Sequence, residues 1–231
     1  MQNRGEIGSI PFSMLAISPL RSASQSGIIV PLQYQHWREK STMPLLDHFD
    51  ILAPLYDRLI TNPEETKIIR LAKLPTEGSL LDAGGGTGRI SQHLVQHAKQ
   101  VVVLDSSIKM LNQALSKNGL RAVGSETEYL PFSDASFERV TMVDALHHVA
   151  EQKRSLQELW RVLKPGGILV VEEPDIKVFA VKLVALAEKL ALFRSHFLSP
   201  ERVSEYLEKL GAKTHIVRDK PNAWIIAEKC N

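Results

Sequence analysis

Four glycines crowd one short stretch of this chain. In Leu80-Leu81-Asp82-Ala83-Gly84-Gly85-Gly86-Thr87-Gly88-Arg89 an apolar run passes through them into an amphipathic segment. Glycine has no Cβ, so such a turn can take positive φ and bring the backbone against a ligand, at an entropic cost that a plain connection has no reason to carry. A bare strand-to-helix turn is the bland alternative for a lone glycine cluster, and Asp82 in the spacing D-x-G-x-G-x-G weakens it. A dinucleotide would need the fingerprint G-x-G-x-x-G, whose third small residue closes helix on strand. Counted from Gly84 the third position is Arg89; counted from Gly86 it is Ser91, which leaves Asp82 and Gly84 unexplained. A ligand without a pyrophosphate fits better, and an NAD(P) oxidoreductase is the weaker alternative. A second carboxylate, Asp105, ends the run Val101-Val102-Val103-Leu104-Asp105. At the carboxyl edge of a doubly wound sheet it can accept both hydroxyls of a ribose. Its other use would be to cap the next helix, which Ser106 or Ser107 can do instead.

Further along, His147 and His148 follow a fourth apolar run, and Glu172, Glu173 and Asp175 end a fifth. Histidine is the commonest general base, so His147 is one candidate to take a proton from an acceptor. Glu172 is the other, and a carboxylate there can also orient a polar acceptor. The plain alternatives are loop capping for the histidines and solvated charges near a helix start for the carboxylates. His93 and His97 are four apart, but Leu94 stands where H-E-x-x-H needs Glu, so a solvated helix face is expected and no metal site is assigned.

The elements that must carry these residues are legible in the apolar pattern. Strands are expected at Ser79–Ala83, Val101–Asp105, Arg121–Ser125, Arg139–Asp144 and Ile168–Glu172, with helices between them at Thr87–Lys99, Ser107–Lys117 and Glu151–Leu163. That alternation signals βαβ units, and the unbroken Val/Ile/Leu runs suit strands buried on both faces. A long apolar helix is expected at Val178–Phe197, then one from Pro200 to Leu210 with Ser199 as cap and Gly211 as stop. Thr214–Val217 and Trp224–Glu228 around a short turn read as a closing hairpin. The chain has 231 residues, 28 Lys+Arg against 26 Asp+Glu and one cysteine, Cys230. The balanced charge gives no case for a nucleic-acid partner. One cysteine makes no internal disulfide or cysteine zinc site and favours a reducing compartment, so a cytoplasmic protein is expected. The most apolar stretch, Val178 to Phe193, is broken by Lys182, Glu188 and Lys189, short of a bilayer span. Residues 1–44 are serine- and proline-rich without a period and read as a disordered leader, with Met43 as an alternative start. Pro11, Pro19 and Pro31 would break the helix of a transit peptide.

With these residues in place, the chain resembles the class I S-adenosylmethionine-dependent methyltransferases of the small-molecule type. The resemblance runs from about Asp47 to Lys229 and rests on LLDAGGGTG, VVVLDSS, SETEYLPFSDASFERV, DALHHV and RVLKPGG in the family's order; Phe49–Leu59, with Tyr56 and Asp57, is similar to the N-terminal lid of the quinone-biosynthesis C-methyltransferases. It implies a Rossmann-like, seven-stranded, mostly parallel sheet with helices on both faces and a C-terminal antiparallel hairpin. It divides residues 45–231 into a lid (45–77), a cofactor core (78–173), acceptor-pocket helices (174–211, with Phe193, His196 and Phe197) and closing strands (212–230). It assigns Asp82, Gly84, Gly86 and Thr87 to the methionine end of S-adenosylmethionine, Asp105 to the ribose, and Glu126 and Thr127 to the adenine, with Ser106 also among the cofactor-binding residues. Val143 and Asp144 approach the amino-acid moiety. The acceptor is a small molecule, with carbon methylation of a quinol-like ring the narrower expectation. An O- or N-methyltransferase and a non-catalytic S-adenosylmethionine-binding subunit are the alternatives. The quinone branch usually has Arg and Asn where this chain has His147 and His148.

Overall fold

Runs of valine, isoleucine and leucine without polar alternation make strands that are covered on both sides, and such strands form the middle of this molecule. The computed structural model describes residues 27–31, 65–176, 196–219 and 221–230. Its strands are β1 (Thr76–Ala83), β2 (Ala98–Asp105), β3 (Leu120–Gly124), β4 (Phe137–Val143), β5 (Leu163–Pro174), β6 (Ala212–Asp219) and β7 (Asn222–Lys229). They make one sheet in the order β3-β2-β1-β4-β5-β7-β6. β1 to β5 run parallel, and β7 is antiparallel to both β5 and β6. The Rossmann-like sheet and its closing hairpin are thus as expected. The strand order reverses between β1 and β4, the switch point where a doubly wound sheet opens a crevice at its carboxyl edge.

The described helices are α1 (Glu65–Leu71), α2 (Ser91–Leu94), α3 (Ile108–Leu115), α4 (Gln152–Val162) and α5 (Pro200–Lys209). Leu156 and Leu159 of α4 and Leu207 of α5 pack on Leu81, Val140, Met142 and Val171 on one face of the sheet. Ile68 of α1 and Leu111 of α3 pack on Leu80, Val101, Val103 and Val170 on the other. Ser107 Oγ accepts the Met110 N–H and Ser199 Oγ the Arg202 N–H, so both serines are N-caps. Gly211, at φ +89°, ends α5 as its position predicts.

The expected helix Thr87–Lys99 shrinks to α2 and a single 3₁₀ turn at Val95–His97. Its apolar spacing is helical, but the glycine turn occupies its first residues and β2 begins already at Ala98, pairing with Thr76 of β1. Sheet pairing at one end and the turn at the other leave room for one helical turn. A second departure lies in the stretch read as leader. Ile28 is fully buried beside Leu111 and Leu115, and Ile29 bridges β3 in parallel, its N–H on Ala122 O (3.1 Å) and its O taking the Gly124 N–H (2.9 Å). The other residues of 1–44, the lid stretch with Tyr56 and Asp57, and residues 178–195 of the expected helix Val178–Phe197 lie outside the described residues; its last two, His196 and Phe197, are not helical, because the chain is already extended before the Ser199 cap of α5. Among the described residues no helix is long and apolar enough to cross a membrane.

Candidate functional site

The carboxyl ends of β1, β2 and β4 meet at the glycine turn. Gly84, Gly86 and Gly88 have φ of +69°, +55° and +69°, conformations open to glycine and costly for other residues. Two of the turn's N–H groups, of Gly84 and Gly85, are tied to Leu104 O of β2 at 2.8 and 3.1 Å. A Cβ on Gly84 would stand 2.7 Å from the Cβ of Ala145, just beyond β4, so the turn lies directly against the segment that comes after that strand. The fit underneath the turn is equally close: a Cβ on Gly85 would fall 2.7 Å from Asp82 Oδ2.

Asp82 lies beneath this turn, not at its open side. It is 1% exposed, accepts the Ser91 hydroxyl, and takes the Thr141 hydroxyl at 2.9 Å. Burial raises its pKa, opposed by these hydroxyls and by the charge of Arg89. Its carboxylate therefore joins β1, α2 and β4 and sets the shape of the glycine turn. Thr87 is buried too, and its carbonyl oxygen accepts from Lys117 Nζ at 2.6 Å.

Asp105 stands at the edge, as its position in the sequence predicts. One of its oxygens accepts the Gly86 N–H at 2.9 Å and the other the Ser107 N–H at 2.8 Å. These two bonds fix the carboxylate beside the glycine turn, and Ser107 does the helix capping. Ser106, between them, is half-buried. After β3, Glu126 is half-buried while Thr127 is buried, its hydroxyl accepting from Ser155 of α4. The Thr127 side chain thus serves the contact with α4. The same segment is tied to the distant Arg161-Val162-Leu163 stretch. Arg161 of α4 donates to Leu130 O (3.1 Å), Phe132 O (2.8 Å), Asp134 Oδ1 (2.8 Å) and Glu158, and these carboxylates raise its pKa.

Beyond β4 the chain turns sharply at Asp144, whose φ is +52°. The Asp144 N–H donates to Glu172 O at 3.0 Å. Glu173, 4% exposed, organises the residues of this post-β4 turn: its Oε1 accepts the Ala145 and Leu146 N–H groups at 3.1 and 2.7 Å, and its Oε2 lies 2.7 Å from His147 Nδ1. His147 is buried, with its ring stacked on Phe197 at 4.5 Å and tilted against His148 at 3.9 Å. Its Nε2 is 4.0 Å from Asp144 Oδ1. Burial, aided by His147, lowers the His148 pKa to about 3. Glu172 is buried on the other face of the sheet, because side chains alternate along β5. Desolvation raises its pKa to about 8, helped by the carboxylates of Asp144 and Glu173.

The sequence-predicted residues are therefore brought to one edge, but at two depths. Gly84, Gly86, Asp105, Ser106, Glu126 and Asp144 reach it, whereas Asp82, Thr87, Thr127, Val143, His147 and Glu172 lie buried behind it. Ser91, Thr141 and the clamping role of Glu173 escape a reading of the sequence. His93, weighed as a ligand, meets Glu65 at 3.0 Å instead, and among the described residues no three His, Cys, Asp or Glu side chains gather as a metal site.

Comparison with known proteins bears on this edge directly. Residues 81–171 match the family model described as a methyltransferase domain. Over these residues the chain is similar to methyltransferase domains. A ubiquinone/menaquinone biosynthesis C-methyltransferase of Legionella pneumophila is 32% identical to it over 161 residues, which are 62% of this chain and 64% of that protein. A demethylmenaquinone methyltransferase of Renibacterium salmoninarum is 36% identical over 135 residues, 54% of this chain and 56% of that one. The chain thus spans less than two thirds of these relatives' own lengths. An S-adenosylmethionine-dependent methyltransferase structure from Aquifex aeolicus superposes with a TM-score of 0.60 at 20% identity, covering 75% of this chain and 97% of its own, a likeness of fold. The matched residues run from β1 to β5 and include the glycine turn, Asp105 and the turn after β4.

Proposed function

We propose that this chain transfers a methyl group from S-adenosylmethionine to a small-molecule acceptor, and that the acceptor is a quinol-like ring methylated on carbon. The observation that carries the reading is the packing of the glycine turn between two groups: the Asp105 carboxylate, held by the Gly86 N–H, and the post-β4 turn, met at Gly84. An adenosyl ligand needs a close backbone and a diol acceptor side by side, and this edge offers both. The names of the similar quinone methyltransferases support the narrower half of the proposal.

In this reading Gly84 and Gly86 meet the methionine end through backbone, in a turn shaped by Asp82 and Thr87. Asp105 and Ser106 take the ribose, and Glu126 with the Thr127 backbone takes the adenine amino group. Val143 and Asp144 border the amino-acid moiety. The bound sulfonium supplies an already electrophilic methyl group, so the chain's own work is to align the acceptor and exclude water. A base is needed where the acceptor must lose a proton, and His147 and Glu172 are the two candidates, one on each face of the sheet. No nucleic acid or metal enters the proposal, and a cytoplasmic setting rests on the single exposed cysteine, Cys230.

The experiment has two stages. Calorimetry should give binding of S-adenosylhomocysteine and none of NAD. A methyl-transfer assay across quinols, phenols and amines should then give turnover with a quinol. Turnover only with phenol oxygen or amine nitrogen would move the assignment to O- or N-methylation, and tight binding with no turnover on any class would make the chain a binding subunit.

A further inference from the structure

Glu172 faces the α1 side near the carboxyl end of β5. Its partners in register are Val143 on β4 and Trp224 on β7, and its face carries Ile168 and Val170 below it. It is 2% exposed, and its Oε1 has no hydrogen-bond partner among the described residues. Leaving a buried polar oxygen unmade costs about 1–3 kcal/mol, and native proteins rarely do so without a use for it. Its neighbour Glu173, one residue on, shows the contrast: it receives two backbone N–H groups and an imidazole. Folding has given three partners to one carboxylate and withheld one from an oxygen of the next.

Among the described charged groups around it two are carboxylates, and the one that acts in the opposite sense, His147, is bonded to another carboxylate. Asp144 at the end of β4 and Glu173 on β5 are both acidic, and they raise its pKa further. His147 lies on the opposite face and is engaged by Glu173. On the α1 side, Lys67 is committed to Asp219 of β6 and lies 5.3 Å from the Trp224 ring. The surroundings are otherwise apolar, with Val143, Val170 and Trp224 buried. A neutral hydroxyl on a flat ring fits such a place better than an ammonium, which would bring a second desolvated charge. The position is also correct for chemistry, since Val143 and Asp144 beside it are the residues assigned to the methionine end.

We propose that Glu172 Oε1 receives the hydroxyl hydrogen of the acceptor, making the substrate a neutral ring compound with a free hydroxyl, a phenol or hydroquinone, and Glu172 its base. This rests on the methyltransferase reading. The acceptor's O–H bond breaks and its proton passes to Glu172 Oε1. The oxygen's electron pair forms the ring C=O, and a ring π pair forms the new C–C bond to the methyl. The methyl–sulfur bond breaks with its pair left on sulfur. The methylated carbon gives its proton to water, the ring oxygen takes one from water so that the hydroxyl is restored, and Glu172 returns its own proton to water, so one proton is released per turnover. Burial raises the pKa of this carboxyl to about 8, toward the range a base needs.

The test uses the full chain, labelled with ¹³C at the glutamate carboxyl and loaded with S-adenosylhomocysteine. The probes are 1-naphthol, 1-methoxynaphthalene and 1-naphthylmethylamine, and the Glu172 resonance is identified by its loss in Glu172→Gln. The resonance should titrate near pH 8 and move with 1-naphthol but not with the methyl ether. Glu172→Leu should bind 1-naphthol at least tenfold more weakly and the ether unchanged. If Glu172→Leu does not fold, the wild-type titration and Glu172→Gln decide alone, and Glu172→Gln should lower kcat by about 10²–10⁴-fold on a turned-over phenol. A resonance titrating below pH 5, equal responses to naphthol and ether, or a preference for the amine overturns the proposal while the methyltransferase reading stands. Failure of the wild type to bind S-adenosylhomocysteine overturns both.

Discussion

Replacing Glu173 by alanine would remove, at one buried position, the acceptor for three donors. The Ala145 and Leu146 N–H groups lie 3.1 and 2.7 Å from Oε1, and His147 Nδ1 lies 2.7 Å from Oε2. At 4% exposure, water does not readily take the carboxylate's place. A hydrogen bond to a charged group contributes about 1.5–3 kcal/mol, and a stranded buried donor costs about 1–3 kcal/mol. Three donors on one carboxylate couple, and the turn relaxes when released, so these figures do not add in full. The expected loss is about 3–5 kcal/mol, a large share of the 5–15 kcal/mol typical of a whole domain. Glu173→Gln keeps one oxygen and points an amide N–H at either the two backbone donors or the imidazole, so it should lose about half as much. Urea unfolding at pH 7, followed by tryptophan fluorescence, measures both variants. Calorimetry with S-adenosylhomocysteine should register the same damage, because Gly84 packs on Ala145 in the released turn. Both variants unfolding within about 0.5 kcal/mol of the wild type would mean that the post-β4 turn is held by something else, and the account of Glu173 as its clamp would fail.

Four further outcomes are expected. Asp105→Ala should weaken S-adenosylhomocysteine binding by about 10–100-fold in calorimetry, the worth of hydrogen bonds to a charged group; unchanged affinity removes the ribose role. Wild-type stability should fall relative to Glu172→Gln as pH rises from about 4.5 to about 8 and then level off: the unfolded carboxyl ionises first, and the folded one holds its proton until about 8. The difference is of the order of a few kcal/mol, and parallel urea midpoints for the two proteins from pH 5 to 9 would contradict it. His147→Ala should lower stability, because its ring is buried on Phe197 and bonded to Glu173; a 10²–10⁴-fold loss of kcat with unchanged stability and cofactor affinity would make it the base instead. Ile28→Ala should cost about 2–5 kcal/mol in chemical denaturation, the usual range for a fully buried isoleucine, and a neutral result would mean that residues 27–31 do not hold the domain.

The parallel strands were readable because burial on both faces demands unbroken apolar runs, and Val101–Leu104 or Ile168–Val171 have no other explanation. Asp105 was readable for a related reason: it is the first charge after such a run, where a strand must emerge. Asp82 has the same signature and a different fate. The difference comes from Ser91, nine residues on, and Thr141, on another strand, and neither spacing announces a hydroxyl aimed at a carboxylate. Glu172 and Glu173 had to lie on opposite faces by strand alternation, yet which one would receive donors depended on where β4 turns. Helix α2 shows tertiary structure overruling local pattern, since Ile90, Leu94 and Val95 keep helical spacing while β2 claims Ala98. Ile28 gave no signal, because one short extended segment among serines and prolines has no period to detect.

The strip at residues 27–31 also governs how this protein behaves in company. β3 is an outer strand, and the backbone groups on the free side of such a strand are a template for the strand of another molecule. Here the Ala122 carbonyl and the Gly124 N–H are already taken by Ile29. Pro31, two residues on, has no N–H to donate to such a pairing. A form cut after Pro31 would keep its glycine turn and Asp105, but it would present a flat, apolar-backed edge beside Ala122 and Val123. Its losses would then grow with protein concentration, through self-association and precipitation, where a defect in the core alone would be the same at any dilution.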